Sequence, residues 1–169
     1  MFKLKIAALV IVALYLVFST PYNFRANAEE PILLTIEIEP SSDVDTTVFT
    51  LGYSDLVALP SVEFSTTSNW TSGVQNFTGV PLLSLLEHVG AKSGNLELVA
   101  INDYSINMPI EDPTNSGAII AYLMNGQTMT PRDKGPLWLV YNFDSDAIYR
   151  TETIYSRSIW QLDRMVISR

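Results

Sequence analysis

The segment from Phe64 to Gly90 constrains the fold more than any other part of the chain, because it joins a strand, a polar loop and a helix with clear ends. Pro81 suits the first position of that helix, where a missing N–H costs nothing, and Gly90 suits the left-handed position just past its last turn. The apolar positions in between predict a helix with one wide buried face, made of Leu82, Leu83, Leu85, Leu86 and Val89.

The loop ahead of this helix is rich in hydroxyl and amide side chains and contains a single tryptophan, Trp70. Two interpretations of Trp70 are open: its ring stacks on a bound ligand, or it is a core aromatic residue that fixes the loop. Thr66, Thr67 and Asn69 leave a similar choice, since such side chains can bind a ligand or hydrogen-bond their own backbone. The loop is therefore the first candidate for a binding site.

The N-terminus has the pattern of a secretory signal peptide. Basic residues precede an apolar run from Ile6 to Phe18, and Ala26-Asn27-Ala28 supplies a small-residue cleavage site. The run is shorter than the roughly 20 residues that a membrane-spanning helix needs. We therefore expect a signal peptide at residues 1–28 and one domain at 29–169; an uncleaved anchor is the alternative, and the only case in which membrane contact is expected.

Charge and composition exclude several classes of function. The formal net charge is −8, and removal of the signal peptide would make the remainder more acidic, which argues against nucleic acid as a partner. The chain has one histidine and no cysteine, so a zinc site of the usual kind and disulfides are both ruled out. The acidic pairs Asp43/Asp45 and Asp144/Asp146 lack the glycine and distal glutamate of an EF-hand, and no metal site is predicted.

No catalytic residue is predicted from the chain. A Ser-His-Asp hydrolase would have to use His88, which falls on the polar face of the predicted helix, and the nucleophile-elbow motif Gly-x-Ser-x-Gly is missing from the sequence. A pair of carboxylates for glycoside hydrolysis is defined by a distance, which the sequence does not contain.

Alternating and continuous apolar runs predict a strand-rich chain. Strands are expected at residues 32–39, 48–51, 62–66, 96–101, 104–110, 118–124, 137–141 and 162–168. Further short helices are expected at 54–59, with Ser54 as the cap, and at 152–158. Asn102-Asp103 and Asn125-Gly126 are typical turn dipeptides, and the first predicts a hairpin. The fold class is therefore a strand-rich single α+β domain with few short helices.

Five motifs occur along the chain in the same order as in a known protein family. They are Phe77-Thr-Gly-Val-Pro-Leu-Leu-Ser-Leu-Leu86, Asn102-Asp-Tyr-Ser-Ile-Asn-Met-Pro109, Ala121-Tyr-Leu-Met-Asn-Gly126, Lys134-Gly-Pro-Leu-Trp-Leu-Val-Tyr141 and Ser158-Ile-Trp-Gln-Leu162. Together they resemble the oxidoreductase molybdopterin-binding domain family, which has the sulfite-oxidase-like fold, over roughly residues 45 to 169. The resemblance implies the sulfite-oxidase-like fold and molybdopterin as the cofactor. It also implies a bacterial chain, for which export through a signal peptide would mean a periplasmic location.

The resemblance also implies which residues would hold the cofactor. Trp70 would stack on the pterin, and the polar contacts would come from Thr66, Thr67, Asn69, Arg132 and Arg157. The other interpretation of the two arginines is that they are surface residues in local salt bridges.

Four positions depart from the family pattern. Thr66 stands where catalytic members have the cysteine whose thiolate binds molybdenum, and a hydroxyl is a hard, weakly acidic group that cannot replace a soft thiolate. Trp138 stands where the family has an arginine, and Ser156 and Ile159 replace basic residues near the closing tryptophan.

Two hypotheses follow from the matches and the departures. In the first, the chain is a ligand- or partner-binding module without thiolate-ligated molybdenum; its partner is a small anionic heterocycle, or a membrane sensor or electron-transfer protein. In the second, it is a molybdopterin-dependent oxidoreductase with an atypical metal site. A structural protein without a ligand is the third possibility.

Overall fold

The computed structural model describes residues 30–40 and 45–168, so the predicted signal peptide at 1–28 and Asp43 lie outside the described residues. The strands are β1 Leu34–Ile38, β2 Thr47–Leu51, β3 Val62–Thr66, β4 Gln75–Pro81, β5 Asn95–Ala100, β6 Ser105–Pro109, β7 Ala118–Met124, β8 Gln127–Thr128, β9 Leu137–Tyr141 and β10 Trp160–Ser168. The α-helices are α1 Tyr53–Ala58, α2 Leu82–His88 and α3 Glu152–Arg157, with 3₁₀ helices at Pro113–Gly117, Pro131–Asp133 and Ala147–Tyr149. The prediction of a strand-rich α+β domain with few short helices is confirmed.

One sheet contains all the strands, in the order β2-β1-β10-β9-β7-β4-β3, with β5 pairing with β10 and β6, and β8 pairing with β7. β10 has three partners: it runs antiparallel to β9 and β5, and parallel to β1. Its pairing register shifts between Trp160 and Arg164, where Gln161 has a left-handed backbone with φ of 54°. This irregularity places the start of β10 beside β9 and its remainder between β1 and β5.

The core draws buried residues from most strands of the sheet and from the α-helices, with large contributions from β7, β9 and α2. All five residues of β9 are buried, as expected for the continuous apolar run at 137–141. On α2, Leu82, Leu85, Leu86 and Val89 are buried, whereas Leu83 is 43% exposed, so its assignment to the buried face is wrong. The buried positions follow the i, i+3, i+4, i+7 pattern, and Leu83 lies outside that stripe by one residue step.

The polar segment before α2 contains a strand that the sequence prediction missed. β4 occupies Gln75–Pro81 and pairs with both β3 and β7, which leaves only residues 67–74 as loop. The sequence shows no hydrophobic strand pattern here, because several side chains of β4 carry hydroxyl or amide groups and only Phe77, Gly79 and Val80 are buried. Pro81 consequently ends β4 and caps α2, rather than occupying the first helical position. Gly90 has the predicted left-handed backbone, with φ of 76°.

α1 differs from its prediction at both ends. It begins at Tyr53 and ends at Ala58, and its N-terminal cap is Gly52, whose N–H donates to the Asp55 carboxylate at 2.8 Å. Ser54 does not cap the helix, because it lies inside α1 and both its N–H and its hydroxyl donate to the Glu30 carboxylate.

The two turn dipeptides behave as predicted. β5 and β6 form an antiparallel hairpin across Asn102-Asp103, and Asn125-Gly126 connects β7 to β8 with positive φ at both residues. Among the described residues, no helix is long and apolar enough to cross a bilayer.

Candidate functional site

Trp70 lies at the centre of an aromatic cluster at one end of β9 and β10. Its ring centroid is 5.6 Å from that of Trp160, 5.8 Å from Tyr155, 6.0 Å from Trp138 and 6.1 Å from Phe143. Edge-to-face packing of this kind fixes the loop 67–74 against the core. The same ring is half-buried and lines two cavities, so it packs as a core aromatic residue and also borders both cavities.

The first cavity, which we call the aromatic pocket, has a volume of about 510 Å³. It is lined by Trp70, Ala100, Asn102, Tyr104, Tyr155, Ser156, Ser158, Ile159 and Trp160. Four of these are aromatic, and none of the described residues that line it carries a charge. Its volume falls within the roughly 300–1,000 Å³ typical of small-molecule sites, which also combine apolar walls with a few polar groups.

The second cavity, which we call the basic pocket, has a volume of about 350 Å³ and is lined by Trp70, Pro131, Arg132, Lys134, Trp160 and Gln161. It shares Trp70 and Trp160 with the aromatic pocket. The Lys134 ammonium lies 5.7 Å from the centre of the Trp138 ring, a cation–π distance. Neither Arg132 nor Lys134 forms an ion pair with any described residue.

Thr66, which the resemblance places at the position of the family's metal ligand, points into the protein. It is fully buried and lines neither pocket. Its hydroxyl accepts a hydrogen bond from Asp144 N at 3.2 Å and donates one to Thr67 O at 3.2 Å. The hydroxyl therefore has partners on both its donor and its acceptor side.

Thr67 and Asn69 also lie outside the two pockets. The Asp144 carboxylate accepts from Thr67 N at 2.6 Å and from Thr67 Oγ1 at 2.9 Å, and these bonds lower the pKa of Asp144. Asn69 is exposed to solvent. Asp146, the other member of the acidic pair, accepts from Ile148 N, so the two carboxylates serve different backbone groups.

Arg157 is held away from Arg132. Its guanidinium forms a 2.9 Å ion pair with Asp112 and lies 3.3 Å from Thr114 Oγ1, and its side chain is 12% exposed. Hydrogen bonds from Thr114, and then the one from Arg157, lower the pKa of Asp112. The structure therefore brings Trp70 and Arg132 together at the pockets, while Arg157 serves as a structural partner of the loop before β7.

The inward direction of Thr66 predicts a stability effect. Thr66→Val keeps the shape but leaves Asp144 N without its partner, so we expect a loss of about 1–2 kcal/mol in the free energy of unfolding, measured by denaturant titration. Thr66→Ser keeps the hydroxyl and loses one buried methyl group, with a loss of about 1 kcal/mol. A valine variant as stable as the wild type would contradict the hydrogen bonds described for Thr66.

The molybdenum centre implied by the family does not fit this set of residues. Thr66 offers a buried hydroxyl that already has hydrogen-bond partners on both its donor and its acceptor side. Trp138, at the position of the family's arginine, is fully buried, and its Nε1 donates to Ser158 O at 3.1 Å. A buried core residue thus stands where the resemblance implies an arginine.

The sequence prediction missed part of the pocket wall. The sequence analysis does not name Tyr104, Tyr155 or Trp160 as site residues, yet all three line the aromatic pocket. Lys134 lines the basic pocket beside Arg132. Trp160 and Lys134 both lie in motifs that resemble the family, and this was the one available signal for them.

Comparison with known proteins identifies the family. No curated protein matches the chain in sequence. The family described as "Oxidoreductase molybdopterin binding domain" matches residues 34–142, from the start of β1 to just beyond β9. The matched segment contains Trp70, Arg132 and Lys134, whereas Tyr155 and Trp160 follow it. The chain belongs to the oxidoreductase molybdopterin-binding domain family.

Proposed function

We propose that the chain is a ligand-binding module of this family that works without thiolate-ligated molybdenum and does not catalyse a redox reaction. The observation that carries the proposal is the state of Thr66, whose hydroxyl is buried and bonded to the backbone at the position of the metal ligand. Thiolate chemistry is the property that tunes the metal in catalytic relatives, and a threonine in this environment cannot supply it.

The aromatic pocket is the proposed binding site. Its walls contain Trp70, Tyr104, Tyr155 and Trp160, and aromatic rings of this kind favour flat ligands that stack on them or meet their edges. Asn102 and Ser156 supply hydrogen-bonding groups that would orient such a ligand. The proposed ligand is therefore a small heterocycle.

The proposed setting is the periplasm, and the proposed partner is a membrane sensor or an electron-transfer protein. The apolar side chains at the mouth of the aromatic pocket support a partner surface there, since Tyr104 is 54% exposed and Trp160 39% exposed. A partner on this face would contact both the protein and the bound ligand.

The test is elemental analysis for molybdenum and tungsten, with pterin fluorescence after oxidation, on protein from a host that makes the cofactor. We expect only trace metal in the wild type. We expect the same in Thr66→Cys, because the side chain at position 66 faces Asp144 N rather than either pocket. Thr66→Ser is the matched control for the change in side-chain size.

Two outcomes would overturn the proposal. Near-stoichiometric metal and pterin in the wild type would establish the alternative, an oxidoreductase with an atypical metal site. Metal loading in Thr66→Cys alone would show that the family's cleft is intact and that only the ligand atom has been lost.

A further inference from the structure

The aromatic and basic pockets adjoin at Trp70 and Trp160, which belong to the lining of both, and we call the two pockets together the groove. A ligand that extends across these two rings would contact both cavities. One end offers rings and neutral polar groups, and the other offers Arg132 and Lys134.

We infer that this groove binds a planar aromatic monoanion, with its ring system in the aromatic pocket and a carboxylate or sulfonate at Arg132 and Lys134. The inference rests on the proposed ligand-binding function and adds the charge of the ligand and its orientation.

The aromatic pocket selects an uncharged part of the ligand. Its polar contributions come from Asn102, Ser156 and Ser158, and none of its described lining residues is ionised. A charged group placed among these rings would lose hydration without an opposite charge to compensate, which costs far more than the burial of a neutral ring. The ring system of the ligand is therefore the part that belongs here.

The basic pocket selects an anion despite the acidity of the chain. The described residues include six basic side chains, Lys92, Arg132, Lys134, Arg150, Arg157 and Arg164. Arg157 is paired with Asp112, and Arg164 lies 3.6 Å from Asp103. Arg132 and Lys134 have no such partner among the described residues and line the same cavity. A carboxylate at this place would gain charge-assisted hydrogen bonds that the protein itself leaves unmade.

Asp133, the acidic residue nearest in sequence, does not form an ion pair with Arg132 or Lys134. Asp133 lies between them in sequence, but its carboxylate accepts a hydrogen bond from Thr130 Oγ1 at 2.7 Å, and Asp133 is not part of the pocket lining.

Two hydrogen bonds hold the lining of the basic pocket together. Gln161 N donates to Lys134 O at 3.0 Å, and Gln161 Nε2 donates to Pro131 O at 2.6 Å. The turn that carries Arg132 and Lys134 is therefore attached to the residue that follows Trp160. A groove held in this way loses little conformational freedom on binding, which favours affinity.

The test uses three probes with one ring system and three charges: 2-naphthoate, 2-naphthamide and 2-naphthylmethylammonium, titrated by isothermal calorimetry at low and moderate salt. We expect 2-naphthoate to bind about tenfold more tightly than the amide, since two cations face its carboxylate. We expect the ammonium probe to bind most weakly. Salt should reduce the advantage of the acid over the amide, because it screens exposed charges.

Two double variants separate the local charges from the net charge. Arg132→Gln with Lys134→Gln is expected to lower the affinity for 2-naphthoate to that for the amide and to leave amide binding unchanged. Lys92→Gln with Arg150→Gln changes the net charge equally but lies outside the basic pocket, and should preserve the preference for the acid. Trp160→Ala should lower the affinities for 2-naphthoate and 2-naphthamide by the same factor, because both probes place their rings against Trp160.

Several results would overturn the inference. They are equal affinity for the three probes, strongest binding of the ammonium probe, binding of none of them, or loss of the acid preference in the control double variant. The results that would contradict this inference differ from those that would contradict the proposed function. Metal-free protein that binds a pterin but none of the naphthalene probes would keep the proposed function and remove this inference, whereas a stoichiometric molybdenum centre would remove the proposed function itself.

Discussion

Trp138→Arg, which restores the basic residue that the family has at this position, is expected to destabilise the protein by at least about 4 kcal/mol. Trp138 is fully buried in β9, with its ring 5.4 Å from Phe77 and 6.0 Å from Trp70. An arginine here would leave a cavity among the rings and bury a positive charge near the Lys134 ammonium, which lies 5.7 Å from the centre of the present ring. Denaturant titration followed by circular dichroism measures the loss.

Trp138→Phe is the matched control. It keeps an aromatic ring in the cluster but removes the Nε1 donor, so Ser158 O loses its 3.1 Å partner and the expected cost is about 1–2 kcal/mol. An arginine variant as stable as the wild type would contradict this account. It would mean that the guanidinium reaches solvent along its aliphatic stem, and that position 138 can still provide the family's anion-binding group.

Three strands have the predicted bounds: β3, which is largely exposed, and the two strands whose burial is nearly continuous, β7 and β9. β7 and β9 have the predicted bounds, because runs such as Leu137–Tyr141 are apolar throughout and end at turn residues. β4 was missed for the opposite reason: its side chains are largely polar, and pairing with two neighbouring strands rather than hydrophobicity makes it a strand. Sheet pairing is a tertiary property that a one-dimensional pattern does not contain.

The site was predicted in the same partial way. Trp70 could be singled out from the sequence because a lone tryptophan in a polar loop is unusual. In the structure it lines both pockets. Arg157 was grouped with Arg132 because each lies near a motif that resembles the family, yet α3 turns its side chain towards Asp112. The direction of a side chain at a helix end depends on the capping geometry, which nearness in sequence does not report.

The Thr66 substitution has a meaning that only the structure supplies. From the sequence, threonine in place of cysteine indicates the loss of a thiolate, which leaves open a vacant cleft beneath it. In the structure, Thr66 and Thr67 exchange three hydrogen bonds with the backbone and carboxylate of Asp144 and join the loop 67–74 to the segment after β9. Position 66 therefore has a structural role. The space available for a ligand lies in the groove beside Trp70 and Trp160.

Gly79→Ala is expected to destabilise the protein by at least about 3 kcal/mol, because a Cβ at this position has no room. An alanine Cβ would lie 2.3 Å from Ile120 O and 2.6 Å from Ala121 Cα, both of which belong to the backbone of β7. These atoms are held in the β4–β7 ladder, whose register shifts between Thr78 and Gly79. Relief of the clash would require the two central strands to separate, and denaturant titration measures the cost.

Gly73→Ala is the control that separates this clash from ordinary backbone strain. Gly73 has φ of 66° and no atom within 4 Å of the added Cβ, so its cost should be limited to about 1 kcal/mol for a left-handed alanine. Equal losses in the two variants would show that β4 can move away from β7. The close approach at Gly79 explains why a glycine stands inside a strand that leads directly from the Trp70 loop to α2, since the loop, the groove beside it and the helix all depend on that contact between β4 and β7.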